Sequence, residues 1–571
     1  MTLLIRYRHT LVGLGLCCGY VALLWSTQAD LALSRDESMY VYAAERYSRF
    51  YELLLQHPSQ ALDRQFIDDC FRVNHEHPGL AKSLFALSFL LEKHFQLFGS
   101  TTLAHRFPGM LSAGLLLWLL YHVGRRYGGP LLGAFAALSF GLLPRVFYHS
   151  HLNCFDLPIT LATTLSLYTY QRSLLDRRWL WACGLSFGLA LAIKHNSWLL
   201  PGICAAHFAC VQLLQARSGQ QHVARGPYFL LAMALLGPPI LVLTWPWLWH
   251  DGVERFLWYA RFHMQHEYYN MAYFGHNYFR PPFPISFPFV MTAVTVPLTT
   301  LVFALLGISI SGRRQWRAWQ QWRGDDPSAT LILWFFGLVA PLLVIALPST
   351  PIFGGTKHWF PAYPYMCLFA GLAFAWTARR LLTDLRGLRR WLVERTRGTK
   401  WPQGKRARGA VQSGLLLFTL LPGAVETAHS HPFGLSHYTV LLGGIPGAAR
   451  VGMNRQFWGF TTGSLAEQLR AALPAGGRVY ICDMTPLAFA MMAHEGMIPH
   501  TIVASRGLSD ADYALVHHED HFADVDFQIW TAYGTVQPAA VLTIDGVPII
   551  SMYRNPRPPH AASGGGTRRR R

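Results

Sequence analysis

Charged side chains are scarce in this sequence. Lys, Arg, Asp and Glu together make up 14% of the 571 residues, whereas hydrophobic residues make up 52%. Soluble globular proteins carry about 25% charged residues. The scarcity excludes an ordinary soluble protein and predicts a helical protein that crosses a membrane many times.

Several motifs are missing as well. None of the nine cysteines forms a C-x-x-C pair, so the sequence indicates neither a zinc site nor a disulfide framework. Cys70 and Cys154 could meet outside the membrane, either as two free thiols or as a disulfide. No glycine-rich nucleotide loop is evident.

The formal net charge is +19, but the cations are concentrated in short segments between apolar runs. This distribution is typical of cytosolic loops in membrane proteins rather than of a nucleic-acid-binding face, so no nucleic-acid partner is predicted. The apolar runs themselves carry almost no charge and show no internal repeat. A transporter or flippase of lipid-linked or small substrates, which usually has charged residues within several spans, is therefore the less favoured alternative.

Eleven apolar stretches are long enough to span a bilayer, which takes about 17–25 residues. They lie near 10–28, 105–123, 129–147, 157–172, 178–196, 198–215, 227–248, 285–308, 329–347, 359–378 and 412–430. We predict about 11–13 transmembrane helices in a domain that covers residues 1–430.

Segment 79–99 decides the topology. Its uninterrupted apolar run, residues 83–91, is too short to span, so it could lie along the interface or re-enter. If it does not span, the Arg-rich loops fall on the cytosolic side, and residues 29–104 form one long external loop with interfacial helices. Residues 147–156, 249–284 and 348–358 are then external too.

The C-terminal part differs in composition. Residues 431–556 alternate short β-like and helical stretches, with a hairpin predicted around Asp545-Gly546. We predict a small extracytoplasmic α/β domain there. Residues 557–571 are rich in Pro, Gly, Ser and Arg, which predicts a disordered basic tail.

Acidic residues of the predicted external face are candidates for chemistry, because charges at a membrane boundary often mark function. Asp36 and Glu37 follow the first span, and Asp156 stands at the mouth of the fourth. Each has a structural alternative. Ser34 and Glu37 match a capping box, and Asp36 and Asp156 would suit the first turn of a helix.

Three polar motifs could bind a metal. His75 and His77 flank Glu76, His263 and His266 are three residues apart, and Asp524-x-Asp526 resembles the metal motif of soluble nucleotide-sugar transferases. None has a complete ligand set at fixed spacing, so the sequence assigns no metal site and leaves a divalent cation open.

The external motifs follow one another in the order seen in one family. They are RDESMY (35–40), HEHPGLAK and its continuation (75–115), YHSHLNCFDLPIT (148–160), LALAIKHNSWLLP (189–201), GGTKHWFPAYPY (354–365) and a block at 438–459. In order and spacing they resemble protein O-mannosyltransferase-like membrane glycosyltransferases, which include the bacterial aminoarabinose transferase that modifies lipid A.

The resemblance implies a GT-C fold and a glycosyltransferase of the bacterial inner membrane. Its donor would be a polyprenyl-phosphate-linked sugar, and its acceptor a protein, lipid A or another envelope glycan on the extracytoplasmic face. Transfer usually proceeds with inversion. Besides these substrates, membrane lipids would be its partners.

The resemblance also implies roles for residues. Asp36 would be the catalytic base, with Glu37 capping its helix, and Asp156 and Glu76 would position donor or acceptor. The remaining substrate-binding candidates, mostly for the phosphate, are His77, Lys82, Arg106, Lys194, Lys357 and His358. Topology makes Arg106 and Lys357 the best placed of these.

Overall fold

Helices account for most of the chain. The structure, a computed structural model, describes residues 2–218, 226–320, 326–352, 354–395 and 405–557. The first eleven α-helices are α1 Thr2–Thr27, α2 Arg35–Gln56, α3 Pro58–Ala61, α4 Arg64–Phe71, α5 Leu80–Phe95, α6 Thr101–Gly128, α7 Pro130–Gly141, α8 Pro144–Ser150, α9 Asp156–Leu175, α10 Leu180–Leu191 and α11 Leu199–Ser218. The others are α12 Tyr228–Thr244, α13 Gly252–Met264, α14 Phe287–Thr295, α15 Leu298–Gln320, α16 Asp326–Ala346, α17 Tyr363–Arg395, α18 Lys405–Ser430, α19 Gly444–Arg450, α20 Ala466–Ala472, α21 Pro486–His494 and α22 Ala523–Tyr533.

Five helices of the described residues are long and apolar enough to cross a membrane. Their spans are Tyr7–Asp30, Thr101–Gly128, His195–Arg217, Pro327–Ala346 and Gly409–Ser430. A sixth span is possible if α7 and α8, which meet at 74°, form one broken segment. Every one of the eleven predicted stretches overlaps a helix, but the others are shorter, broken or less apolar. The predicted polytopic helical fold is confirmed, with five to six spans by this measure in place of eleven.

Close helix contacts are made through small residues, as is usual where no water drives packing. A Cβ on Gly133 of α7 would lie 2.3 Å from the Tyr121 carbonyl oxygen of α6, and a Cβ on Gly114 of α6 would lie 2.9 Å from the Cys17 carbonyl oxygen of α1. Both glycines therefore allow the backbones to approach more closely than any other residue would.

Segment 79–99 forms the sixteen-residue helix α5, which packs against α2 and α6. At a rise of about 1.5 Å per residue such a helix falls short of the roughly 30 Å hydrocarbon core. It buries Phe85 and Ala86 and exposes Leu87 and Leu91. This two-sided character fits the expectation that α5 is not a span.

Seven strands form two sheets. They are β1 Met271–Tyr273, β2 His276–Tyr278, β3 Gly477–Ile481, β4 Ile502–Ser505, β5 Tyr513–His517, β6 Ala540–Ile544 and β7 Val547–Arg554. β1 and β2 make a small antiparallel hairpin between α13 and α14. The other five strands form one mixed sheet in the order β4-β3-β5-β7-β6.

This C-terminal sheet has a parallel part and an antiparallel part. β3 pairs in parallel with β4 and β5, whereas β7 pairs antiparallel with β5 and β6. The predicted turn joins β6 to β7, with Asp545 at φ 49° and Gly546 at φ 78°. Helices α20 and α21 contribute Leu469 and Phe489 to the buried core under the sheet. The predicted small α/β domain is thereby confirmed as part of the fold. Of the predicted basic tail, residues 558–571 lie outside the described residues.

Candidate functional site

Helix α2 begins with the predicted capping interaction. The backbone N–H of Ser34 donates to Oε2 of Glu37 at 3.0 Å, and the Ser34 hydroxyl lies 3.3 Å from the same oxygen. These contacts fix where the helix starts, and they place Arg35 and Asp36 in its first turn. Asp36 thus has a defined position at the helix N-terminus.

Glu37 and Arg106 form a buried ion pair. Arg106 Nε donates to Glu37 Oε1 at 2.9 Å and Nη2 donates to Oε2 at 3.1 Å, with the two side chains 1% and 0% exposed. The guanidinium also donates to three backbone carbonyls, those of Gln28, Leu31 and Ala32. All donor groups of Arg106 are occupied, and Glu37 has no exposed surface. This geometry favours the capping alternative for Glu37 and a structural role for Arg106 rather than contact with a phosphate.

Asp36 and Lys357 are far apart in the sequence but in contact in the structure. Lys357 Nζ donates to Asp36 Oδ2 at 3.0 Å, and its ammonium lies 3.8 Å from the centroid of the Trp458 ring. Gly354 and Gly355 precede Lys357 with φ of 71° and 66°, a backbone conformation that other residues rarely adopt. This turn places the Lys357 side chain within hydrogen-bond distance of Asp36.

The two charges stabilise each other. Burial raises the pKa of Asp36, but the positive charges of Lys357 and Arg35 outweigh it and lower the pKa below its ordinary value. Burial lowers the pKa of Lys357, but the carboxylates of Asp36 and Asp156 outweigh it and raise that pKa. At neutral pH Asp36 is therefore ionised and Lys357 is protonated.

Asp156 is the second carboxylate of this cluster. Its Oδ1 accepts from Lys194 Nζ at 3.1 Å, and its Oδ2 lies 3.2 Å from His149 Nδ1. Burial raises the pKa of Asp156, but Lys194 and His149 hold it well below its ordinary value. Asp156 does begin helix α9, as the structural alternative predicted, and it is also paired with a cation.

The 74–82 segment forms a tight turn around Lys82. The buried ammonium of Lys82 donates to the carbonyl oxygens of Asn74 and, at 2.8 Å, His77. Burial lowers the pKa of Lys82 to about 7, against the opposite effect of Glu76. Glu76 Oε1 accepts from Asn74 Nδ2 at 2.5 Å. Lys82 thus stabilises the turn that contains Glu76 and His77.

Three histidines that the sequence separates widely lie together. The ligand atoms of His77, His195 and His263 are within 4.8 Å of one another, a spacing that could hold a metal ion. Burial lowers the pKa of His263 to about 4. Burial, followed by the charge of Lys194, holds the pKa of His77 well below its ordinary value. Both are therefore neutral at pH 7, which is the form that binds Zn²⁺.

Several motif residues stay outside this group. His75 stacks on Trp258 with ring centroids 4.3 Å apart. Asp524 and Asp526 lie in the first turn of α22, where acidic side chains suit the helix dipole. Cys70 and Cys154 are free thiols rather than a disulfide.

An apolar groove runs beside the cluster between α9, α11 and α16. Its wall includes Leu167, Leu200, Ile203, Pro341, Val344 and Ile345. Two polar residues, Asn196 and His358, also line it, and Asn196 Nδ2 donates to the His358 carbonyl oxygen at 3.4 Å. Asn196 lies two residues after Lys194, and His358 directly follows Lys357, so this part of the lining is close in sequence to the charged cluster.

Three residues of the site were not among the candidates predicted from the sequence. Trp458 covers Lys357, His149 approaches Asp156, and Asp483 binds Arg35 at 3.0 Å. Trp458 lies within the 438–459 block, so the pattern marked the segment but not the residue. Asp483 lies two residues after β3, and its position near the end of a strand-like stretch was the available signal.

The comparison with known families matches one segment of the chain. The sequence model of the family described as dolichyl-phosphate-mannose-protein mannosyltransferase matches residues 77–249. This segment contains His77, Lys82, Asp156 and Lys194. No curated protein sequence matches the chain.

The chain is also similar to solved structures at low identity. ArnT from Cupriavidus metallidurans in the apo state is 14% identical over 94% of this chain and 97% of its own, with a TM-score of 0.49. The same protein bound to undecaprenyl phosphate is 13% identical over the same shares of both chains, with a TM-score of 0.45. The archaeal oligosaccharyltransferase AglB from Archaeoglobus fulgidus, in complex with an inhibitory peptide and a dolichol-phosphate, is 10% identical over 93% of this chain and 72% of its own, with a TM-score of 0.45.

The family match to residues 77–249 confirms the resemblance to membrane glycosyltransferases that the motifs predict.

Proposed function

We propose that this protein is a membrane glycosyltransferase that moves a sugar from a polyprenyl phosphate to an acceptor on the extracytoplasmic face. Asp36 is the general base in this proposal. Lys357 and Lys194 stabilise the phosphate as it leaves. The family match to residues 77–249 supports the reaction class.

We assign the general base by comparing the exposed fractions of the three candidate acidic side chains. The side chain of Asp36 is 24% exposed, whereas those of Asp156 and Glu37 are 4% and 0% exposed. A general base must reach the proton that it accepts. Asp36 is ionised and reachable, and only one of its oxygens is held by Lys357.

The proposed step is a displacement at the anomeric carbon. The acceptor hydroxyl attacks this carbon and gives its proton to Asp36, while the bond between the carbon and the phosphate oxygen breaks. Negative charge grows on the departing phosphate, where nearby cations stabilise the transition state. Lys194 pairs with Asp156 and Lys357 pairs with Asp36, and these two cations at one cluster support their role. Attack from the face opposite the phosphate inverts the anomeric configuration.

A lipid donor fits the apolar groove beside this cluster. A polyprenyl chain needs an apolar path, and its phosphate needs cations at the end of that path. The groove is lined by Leu200 and Ile345 and also by Asn196 and His358. The neighbouring positions hold Lys194 and Lys357. We therefore place the phosphate near these lysines and assign Arg106 to the support of α2.

The acceptor is a protein, lipid A or another envelope glycan, and the location is the bacterial inner membrane. In this proposal the cluster and the C-terminal domain face away from the cytosol. The predicted external segments meet at the cluster through contacts of Asp36 with Lys357 and of His77 with His263. These contacts support one common side for all of them.

The proposal is tested with purified protein. Mass spectrometry of the co-purifying lipid is expected to find a polyprenyl-phosphate sugar, which then serves as donor in a transfer assay. Asp36→Asn is expected to lower transfer by about 10²–10⁴-fold, the usual contribution of a general base. Asp545→Asn, which changes an exposed carboxylate paired with His429, is the matched control. Wild-type turnover in Asp36→Asn would remove Asp36 from the mechanism.

A further inference from the structure

The C-terminal domain contacts the start of α2 through one edge of its sheet. β3 and β5 are parallel neighbours, so their carboxyl ends lie at the same edge. Asp483 follows β3 by two residues, and Glu519 follows β5 by two residues. Both acidic side chains bind groups of the membrane domain or of the segment 454–459, which precedes the sheet in sequence.

Asp483 joins three parts of the molecule. Its Oδ1 accepts from Arg35 Nη1 at 3.0 Å, and its Oδ2 accepts from Gln456 Nε2 at 2.8 Å. Gln456 Oε1 in turn accepts from the N–H of Gly459 at 3.1 Å. The backbone N–H of Arg35 donates to the Trp458 carbonyl oxygen at 3.1 Å. One carboxylate thus connects the first residue of α2 to the turn that carries Trp458.

Glu519 holds the beginning of the same turn. Its Oε1 accepts from the backbone N–H groups of Arg455 and Gln456 at 2.8 and 2.9 Å. Trp458 has a φ of 60°, which is unfavourable for a bulky residue and persists only where neighbours impose it. Asp483 and Glu519 both bind Gln456, two residues before Trp458.

The position of Arg35 affects the candidate base directly. Arg35 Nε is 3.7 Å from Asp36 Oδ1, whereas its Nη1 is within hydrogen-bond distance of Asp483. Oδ1 is the oxygen that Lys357 leaves open. If Asp483 did not hold the guanidinium, Arg35 could close onto Oδ1 and compete with the acceptor hydroxyl.

We propose that Asp483 and Glu519 are positioning residues for glycosyl transfer, which hold Arg35 and Trp458 so that Asp36 keeps one oxygen open while Lys357 binds the other. The inference rests on the proposed function. It also means that the C-terminal domain is a fixed part of the site and not a lid that opens in each turnover.

The first test compares two Asp→Asn variants of the full-length protein. Asp483→Asn is expected to lower kcat by roughly tenfold to a hundredfold, as small misplacements of reacting groups do, with KM for the donor nearly unchanged. The acid limb of its pH–rate profile should move to lower pH, because a freed Arg35 stabilises ionised Asp36. Asp545→Asn is the control, since it also removes a carboxylate from a domain contact. Equal kcat in both variants overturns the positioning role.

The second test asks whether Asp483 acts through Arg35. In an Arg35→Gln background, Asp483→Asn is expected to cause no further loss of kcat. An undiminished loss in that background overturns the inference, because Asp483 would then act by another route. Equal melting temperatures of the compared variants exclude unfolding as the cause.

The third test fixes the domain in place. The hydroxyls of Ser38 and Thr485 lie 3.3 Å apart, so a Ser38→Cys/Thr485→Cys pair should form a disulfide that peptide mass spectrometry detects. Retained transfer after cross-linking supports a fixed domain. Failure to cross-link, or a loss of transfer that reduction restores, overturns it. If the wild type transfers no sugar, the proposed function fails, while the cross-link still reports on docking.

Discussion

Lys357 Nζ lies 3.0 Å from Asp36 Oδ2 although 321 residues separate the two in sequence. The lysine side chain is 8% exposed and the aspartate side chain 24% exposed. The ammonium is thus enclosed, while the carboxylate stays open on its other edge. This arrangement suits a general base, because Lys357 keeps Asp36 ionised through Oδ2 while the rest of the carboxylate stays accessible.

Lys357→Met is expected to slow transfer and to change its pH dependence. Without the lysine, burial acts with less opposition, so the pKa of Asp36 rises and the acid limb of kcat/KM moves to higher pH. Loss of the cation near the leaving phosphate should lower kcat by about 10²–10³-fold. The pH dependence of sugar transfer by purified protein measures both effects.

Lys357→Arg is the control for charge. It keeps a cation beside Asp36, so the acid limb should stay close to that of the wild type even if kcat falls. An acid limb that is the same in Lys357→Met and the wild type would show that Lys357 does not set the ionisation of Asp36.

Glu37→Gln is expected to destabilise the protein. It removes the charge that compensates buried Arg106, and breaking a buried ion pair costs about 3–5 kcal/mol. The matched control is Glu52→Gln on the same helix, because Glu52 pairs with Lys93 at the surface, where a pair contributes about 0–1 kcal/mol. Thermal unfolding in detergent compares the two variants. Equal melting temperatures would contradict a structural role for Glu37.

The capping box was predictable because Ser34 and Glu37 are neighbours on one helical turn. Topology predicted that residues 29–104 and 348–358 share one side of the membrane, because the charge distribution indicates which loops are cytosolic, and the contact between Asp36 and Lys357 is consistent with that prediction. It could not show that backbone carbonyls and Glu37 use every donor of Arg106. That outcome depends on how α6 packs against residues 28–32.

Contacts between distant parts of the chain could not be predicted from the spacing of residues within a motif. The sequence predicts no metal site, because no motif supplies a complete ligand set. Yet His77, His195 and His263 meet because an external turn, the end of a span and α13 converge. The contact between Trp458 and Lys357 is a similar case, because nothing in the sequence around either residue predicts that the two are neighbours.

The histidine group is expected to bind about one Zn²⁺ per chain, as three imidazoles at this spacing can. Since burial lowers the pKa of His263 to about 4, protons should compete little with the metal, and binding should persist to mildly acidic pH. His263→Ala should weaken binding strongly. Metal analysis of dialysed protein by mass spectrometry measures the stoichiometry.

His266→Ala is the control for this prediction. His266 lies three residues after His263 and belongs to the same HMQHE motif, but it is not part of the three-histidine group. It should bind Zn²⁺ as the wild type does. Equal weakening in both variants would mean that the group is not the binding site.

Glu519→Gln is expected to change how stability depends on pH. Burial raises the pKa of Glu519 to about 8, against the opposite effect of the Gln456 and Arg455 N–H groups. Oε1 accepts both of these N–H groups, whereas Oε2 has only a 3.3 Å contact with Asn454 Nδ2. A pKa of about 8 predicts that the carboxyl group of Glu519 is mostly neutral at pH 7.

The sign follows from proton binding in the two states. An unfolded glutamate has a pKa of about 4.3, so between that pH and about 8 the folded protein holds one more proton at Glu519 than the unfolded chain does. The stabilisation is complete below the unfolded pKa and is lost as pH rises through the folded pKa. The melting temperature of the wild type should therefore fall between pH 5 and 9, and Glu519→Gln should lack that part of the decline. Parallel curves for the two proteins would show that Glu519 is ionised when the domain is docked.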